Sequence, residues 1–352
     1  MAYLHTSHSK ISAIASCVPA HTERTADYTH ISAEERELFA KTTGIRERRI
    51  ADKNVACSDL CYSAAKYILD KYNCANEIDV IIFVSQSPDY YLPATSILLQ
   101  ERLKLKKDSI AFDISLGCSG YVYGLSVMSN LLQSGQLKKG LLLVGDKSST
   151  STTYEDKSTY PLFGDAGTAT LVEYTNDHSQ WHFNLQSDAS GKNAIIIEHG
   201  QCRSPFDRTL EDMVQIEPGI ARAKKHLVLN GLDVFNFALK EVAVNINELL
   251  EKSNARKEDI DFFVLHQANR LINESVRKKL KVDASKVPYS IELYGNTSSA
   301  SIPLTMCHAM KDELETKKLN LLLSGFGVGL SWGSMLLTTE NIATALLTYG
   351  RP

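Results

Sequence analysis

The 352-residue sequence lacks a charge field of one sign: 38 lysines and arginines face 41 aspartates and glutamates, a net charge of −3. Without a basic excess there is no overall electrostatic footprint for nucleic acid, and no nucleic-acid partner is expected. A secretory leader is missing too. The start, MAYLHTSHSK, has no basic stretch followed by an apolar one, so the expected location is cytoplasmic. Nor is there a disulfide framework, since Cys17, Cys57, Cys61, Cys74, Cys118, Cys202 and Cys307 are odd in number and irregular in spacing. Cys57, Cys61 and Cys74 have no nearby histidine to close a zinc site, and no metal is expected. Continuous apolar runs of membrane length are also absent. Residues 114–137 are uncharged but carry Ser115, Ser119, Ser126, Ser129, Asn130, Gln133 and Ser134, while residues 319–338 are broken by Gly325, Gly327, Gly329 and Gly333. No membrane association is expected from either.

What is present is a globular composition, 43% hydrophobic and 22% charged, over a length that suits one large domain or two fused ones. Apolar runs at 80–84, 110–114 and 141–144 alternate with helical stretches at 94–105 and after Gly117-Cys118, which predicts a parallel sheet covered on both faces. The order returns about 180 residues later: strands at 262–265, 289–293 and 319–323, helices at 271–280 and 302–314. From Val84 to Cys118 is 34 residues and from Val264 to Asn296 is 32, so Gly117-Cys118 and Gly295-Asn296 occupy corresponding points of two copies. The expected fold is therefore α/β with two duplicated halves. The boundary is placed between 174 and 175, the nucleophilic cysteine in the first half and the histidine and asparagine in the second.

Ligands of open α/β sheets gather beyond the carboxyl ends of the strands, where Cys118, His266 and Asn296 all fall. Cys118, in Leu-Gly-Cys-Ser-Gly, is expected at a helix N-terminus, where partial positive charge favours thiolate over thiol. It is also the cysteine expected to alkylate fastest. Taken singly, each residue has a plainer explanation: a small residue under a helix for Cys118, a solvated turn for His266, a helix cap for Asn296. Together they form a nucleophile with two neutral hydrogen-bonding partners, which suits thioester chemistry. The Gly-rich segment 325–333 is followed by strand-forming residues rather than a helix. A turn presenting backbone N–H groups to an oxyanion is its better functional reading than a phosphate loop.

At this point the sequence resembles the thiolase-fold condensing enzymes, and among them β-ketoacyl-acyl-carrier-protein synthase III. The resemblance rests on Thr-Gly-Ile-Arg-Glu-Arg-Arg (43–49), Ala-Phe-Asp (111–113) leading to Cys118, Phe-Gly-Asp-Ala-Gly (163–167), His-Gln-Ala-Asn (266–269), Tyr-Gly-Asn-Thr-Ser (294–298), and Gly-Phe-Gly (325–327) with Trp-Gly-Ser (332–334). It implies a thiolase-like fold layered α-β-α-β-α. It makes Cys118 the acylated nucleophile, and His266 and Asn296 the donors to a malonyl-type thioester that loses carbon dioxide and condenses with the acyl group. Backbone N–H groups of Cys118 and Val328 would form an oxyanion site, with Val328 standing where the family usually has glycine. Phe326 would lie beside the cysteine, and Leu92 would reach into the acyl pocket of a partner subunit in a homodimer. No permanently bound cofactor is implied, only acyl thioesters of coenzyme A or acyl carrier protein as substrates.

Departures from the resemblance bear on the donor. Leu38 and Thr42 replace a tryptophan and an arginine that contact the nucleotide, Lys157 stands where many relatives have arginine, and Leu232, Asn236 and Leu271 replace Asn, Lys and Arg. Arg270, Arg277, Lys278 and Lys279 remain as a basic helix face for pantetheine or an acyl carrier protein, the expected partner. A variable cap is placed at about 195–226, over the substrate channel. The function read from all this is an acyltransferase performing decarboxylative condensation to a β-ketoacyl product. The alternatives are transfer of the acyl group to an O or N acceptor on the same fold, and a non-catalytic partner subunit.

Overall fold

The computed structural model describes residues 2–177 and 179–350. Two mixed sheets form its frame. The six-stranded sheet runs, in spatial order, Ala343–Thr348, Ser9–Val18, Ala166–Tyr174, Lys139–Asp146, Val80–Val84, Ile110–Ile114. The five-stranded sheet runs Ala2–Ser7, Gln180–Ser187, Ser331–Glu340, Lys318–Gly327, Phe262–Leu265. The expected boundary at 174/175 lies between Ala166–Tyr174 of the six-stranded sheet and Gln180–Ser187 of the five-stranded one. The chain ends cross it: Ala2–Ser7 pairs with Gln180–Ser187, and Ala343–Thr348 pairs with Ser9–Val18.

The continuous apolar strands are buried on both faces, and their period of two divides them between layers. Val80, Ile82, Val84, Leu142 and Val144 point to a central cluster, whereas Ile81, Phe83, Leu141 and Leu143 point outward onto the helices Cys57–Tyr72 and Thr95–Arg102. The central layer is built by Gly120–Leu132 and Ser301–Ala309, through Val122, Leu125, Met128, Ile302 and Met306. From the other sheet Leu321 and Leu323 face the same layer, while Leu322 faces Ile246, Val276 and Leu280 of the outer helices Ala243–Lys252 and Arg270–Leu280. The result is the five-layer α-β-α-β-α arrangement. Among the described residues no helix is long and apolar enough to cross a membrane.

The repeat is less regular than the sequence suggests. No strand forms at 289–293; Ile291–Tyr294 is a helical turn instead. Pro288 has no N–H to give a ladder, and the Ser290 N–H donates to Gln267 Oε1 rather than to a neighbouring strand. The expected helix 302–314 is two helices, Ser301–Ala309 and Lys311–Thr316, broken at Met310. The parallel sheet is also only partial. Val80–Val84, Ile110–Ile114 and Lys139–Asp146 are parallel, but Lys139–Asp146 meets Ala166–Tyr174 antiparallel.

Candidate active site

Cys118 and His266 stand just past strands and Asn296 past the helical turn Ile291–Tyr294, and each is held there by close backbone approaches. Ile110–Ile114 leads to a tight turn in which the Gly120 N–H donates to the Gly117 carbonyl at 2.7 Å, and Cys118 sits inside it, one residue before the N-cap Ser119. A Cβ on Gly117 would lie 2.5 Å from Gln86 Oε1, and one on Gly327 only 2.8 Å from Cys118 Sγ. Glycine at these positions is what lets two turns close around the sulfur. The second turn joins the antiparallel strands Lys318–Gly327 and Ser331–Glu340 and is locked rather than flexible. Ser331 Oγ donates to the Val328 carbonyl at 2.9 Å and contacts Ser119 Oγ at 2.7 Å. Backbone N–H groups of Val328 and Cys118 both act on the Cys118 sulfur. The Val328 side chain lies over Gly117, its Cγ1 2.9 Å from where a Cβ there would stand.

His266 is 1% exposed and neutral: burial pushes its imidazole down to about 3. Its Nδ1 lies 2.7 Å from Ser301 Oγ, and the Ser298 backbone, acting on the ring, opposes part of the effect of burial. Phe326 stands edge-on to the ring with centroids 5.5 Å apart. Asn296 is fixed at its backbone by the Phe-Gly-Asp motif: its N–H donates to the Leu162 carbonyl, and its own carbonyl accepts from the Gly164 N–H at 3.0 Å. A Cβ on Gly164 would collide with the Tyr294 carbonyl at 2.1 Å, so that motif serves the asparagine turn. The Asn296 Oδ1 accepts from the Ser298 N–H at 2.9 Å, and its Nδ2 reaches the carbonyl of the cleft residue Ala268 at 3.5 Å.

One residue touches all three. Ser298, in the left-handed region at φ 50°, gives its N–H to Asn296, its carbonyl to His266, and holds its hydroxyl 3.9 Å from Cys118 Sγ. Sequence reasoning passed over it, although it ends the Tyr-Gly-Asn-Thr-Ser motif. Asp146 was passed over as well. It lies at the end of Lys139–Asp146 with its carboxylate 2.6 Å from Ser299 Oγ and 2.7 Å from the Gln86 N–H. Its charge, after burial itself, is what pushes the Cys118 thiol up to about 11. The thiolate expected from a helix N-terminus is therefore overruled by desolvation and a neighbouring anion. Expected alkylation order changes with it, since Cys118 is only 8% exposed while Cys202 is exposed.

Cys118, His266, Asn296, Phe326, Val328 and Leu92 all border one cleft of about 1610 Å³. The cap contributes differently from expectation. Ile195 to Ile197, His199, Gln201, Leu227 and Leu229 line the wall, whereas the ribbon Val214–Glu217 and Ile220–Arg222 packs on the Asp156 loop. Nor do the four basic residues share a face, because at 100° per residue Lys279 lies opposite Arg270. Arg277 is bound to Glu274 at 2.8 Å and Lys279 to the Leu239 carbonyl at 2.7 Å. Arg270 alone of the four directly follows residues of the cleft, Ala268 and Asn269. Among the described residues no group of acidic, histidine and cysteine side chains could hold a metal ion.

Comparison with known proteins decides the family. Residues 112–189 match the model of 3-oxoacyl-[acyl-carrier-protein] synthase III, and residues 250–339 that of its C-terminal part. A β-ketoacyl-[acyl-carrier-protein] synthase III of Streptococcus agalactiae is 34% identical over 331 residues, covering 93% of this chain and 98% of the relative. The chain belongs to the 3-oxoacyl-[acyl-carrier-protein] synthase III family. Among solved structures, the Burkholderia xenovorans 3-oxoacyl-(acyl-carrier protein) synthase superposes on this synthase with a TM-score of 0.92 at 35% identity, covering 99% of both chains. The Aquifex aeolicus synthase III gives 0.81 at 29% identity, over 94% of this chain and 99% of that one. The fold is thus thiolase-like, and the synthase is a condensing enzyme of the acyltransferase type.

Proposed function

We propose that the condensation runs through an acyl group on Cys118. The observation that carries this reading is the convergence of Cys118, His266 and Asn296 on one cleft, with Ser298 in contact with each. Sγ takes the acyl group while the N–H groups of Cys118 and Val328 receive the carbonyl oxygen. A malonyl thioester then places its thioester carbonyl against His266 Nε2–H and Asn296 Nδ2. Both donors are neutral, so they stabilise the enolate formed on loss of carbon dioxide without a competing proton transfer. Carbon dioxide leaves, the enolate carbon attacks the acyl-cysteine, and the β-ketoacyl thioester departs as the sulfur regains a proton.

Acyl carrier protein is proposed as the principal donor over coenzyme A. Leu38, Leu232 and Leu271 are 64%, 68% and 46% exposed, apolar where relatives present groups suited to nucleotide or pantetheine. Loss of a stacking ring and a cation is worth roughly 0.5–2 kcal/mol each, about tenfold to several hundredfold in affinity together. Arg270 remains beside the cleft for an acidic carrier. The assembly is proposed to be a homodimer in the cytoplasm, with Leu92, 85% exposed in the single chain, entering the neighbour's acyl pocket.

Intact-protein mass spectrometry after exposure to matched acyl chains on coenzyme A and on carrier protein tests both points. The wild type should gain one acyl mass, faster from the carrier, and Cys118→Ala should gain none. An adduct that persists in Cys118→Ala would remove the nucleophile assignment, and faster loading from acetyl-coenzyme A would remove the donor preference alone.

A further inference from the structure

The thiol of Cys118 must lose its proton as the acyl group arrives, and the usual candidate acceptor cannot take it. His266 is a poor acceptor, its Nδ1 held 2.7 Å from Ser301 Oγ in a site where burial keeps the ring neutral and opposes a gained proton. A different base lies on the opposite side of the sulfur. Asp146 is 2% exposed and accepts from Ser85 Oγ at 3.2 Å, the Gln86 N–H at 2.7 Å, and the Ser299 N–H and Oγ at 3.2 and 2.6 Å. The Ser298 hydroxyl, 3.9 Å from Sγ, also hydrogen-bonds to this carboxylate. Among the described residues no cation pairs with it: adjacent Lys147 turns its ammonium away onto the carbonyls of Asp52 and Val55, at 2.8 and 2.7 Å. Among the described residues the titratable groups that feel Asp146 include two thiols, Cys57 from the helix Cys57–Tyr72 and Cys118 itself.

We propose that Asp146, acting through the Ser298 hydroxyl, is the proton acceptor for Cys118 during acyl loading. As Sγ attacks the thioester carbonyl carbon, the S–H proton moves to Ser298 Oγ and the Ser298 hydroxyl proton moves to an Asp146 oxygen. Collapse of the tetrahedral adduct breaks the bond from carbon to the carrier sulfur, and the departing thiolate takes a proton back through the same two groups. Thiol and thioester become acyl-cysteine and carrier thiol, with no proton gained or lost overall. Burial strengthens the base for this role, because a desolvated carboxylate binds a proton more readily than an exposed one. The same anion disfavours a free thiolate on Cys118, so the sulfur is held as thiol until a thioester is present to be attacked.

The inference rests on Cys118 being the acylated residue, and the test separates the two. The full chain is loaded with the butanoyl thioester of N-acetylcysteamine, and single-turnover acylation of Cys118 is followed by intact mass from pH 6 to 10 for wild type, Asp146→Asn and Ser298→Ala. General-base loss predicts both variants to be about 10- to 100-fold slower at pH 7, then to rise about tenfold per pH unit and approach the wild type near pH 10. If Asp146 only burdens the sulfur, Asp146→Asn would instead load faster than wild type at pH 7, which overturns the relay. Profiles that keep the wild-type shape overturn it too. Should Asp146→Asn fail to fold, Ser298→Ala, which removes one oxygen, decides by the same profile. Wild-type protein acylated elsewhere than Cys118 would instead sink the functional reading.

Discussion

The turn that carries Cys118 and the turn that carries Asn296 were expected as copies, and they differ in how they are built and in the charge around them. The first ends a strand that pairs in parallel with Val80–Val84, and it sits beside the Asp146 carboxylate. The second ends no strand; its backbone is held by Leu162 and Gly164 from the other half of the chain, and its neighbour His266 is shifted by burial, opposed only in part by the Ser298 backbone. Burial then drives the reactive groups apart, the thiol up to about 11 and the imidazole down to about 3. Both are neutral near pH 7 for the same reason. The difference is that only the sulfur side has an anion to receive a proton. That suits a two-step reaction in which the first step moves a proton and the second needs only neutral donors.

The largest expected effect removes one side and spares the other. His266→Ala and Asn296→Ala should each slow malonyl decarboxylation by about 10²- to 10³-fold, the usual cost of one oxyanion donor, while acyl loading of Cys118 changes by less than about fivefold. Separate assays of carbon dioxide release and acyl mass check this. Equal losses in both would mean that the two turns do not divide the reaction.

Next in size is a steric break of the sulfur side. Gly327→Ala places a methyl carbon 2.7 Å from Cys118 Cβ and 2.8 Å from Sγ, closer than contact allows. Loading should fall by about 10- to 100-fold, on the rule that a misplacement of about 1 Å can cost about 100-fold. Normal loading in this variant would show that the turn has room to yield.

A third comparison uses pH. With a folded-state value of about 3, His266 is neutral at every pH above about 4, so decarboxylation should stay flat from pH 8 to pH 5. An ordinary exposed histidine would gain a proton across that window. A fall in rate with a midpoint between pH 6 and 7 would show that the imidazole is less sheltered than its surroundings imply.

Much of this was legible in the sequence because it depends on local pattern. The double-sided strands showed as uninterrupted apolar runs at 80–84 and 141–144, and the nucleophile, histidine and asparagine each lay in a distinct motif. What stayed hidden depends on distant contacts. Pro288 ended a strand that periodicity favoured, through a hydrogen bond from Ser290 to Gln267 that no local pattern records. Asp146 is an unremarked acidic residue at a strand end until the fold brings Ser299 onto it from 153 positions away. The failure of residues 270 to 279 to form one face was legible, by contrast, since helix phase sets Lys279 opposite Arg270 and Glu274 stands three residues before Arg277. The Cys118 thiolate failed as an expectation because a helix N-terminus can be read locally, and burial beside a carboxylate cannot.

The smallest effect probes what orients the histidine. Ser301 begins the central helix Ser301–Ala309 and brings its hydroxyl to Nδ1 of His266 while accepting the Gln267 N–H at 3.3 Å. The partner of one ring nitrogen sets which nitrogen carries the proton. Ser301→Ala would leave Nδ1 without a partner inside a dry site, at a cost of about 1–3 kcal/mol. Part of that cost appears as a lower melting temperature, and part as time spent with the proton on Nδ1, where it faces away from the thioester. Decarboxylation should therefore drop by about tenfold, with loading of Cys118 within twofold of wild type, and Ser301→Thr, which keeps the hydroxyl, should recover most of the rate. Loss of stability without loss of rate in Ser301→Ala would mean that the imidazole is oriented by the Ser298 carbonyl and the Phe326 ring alone.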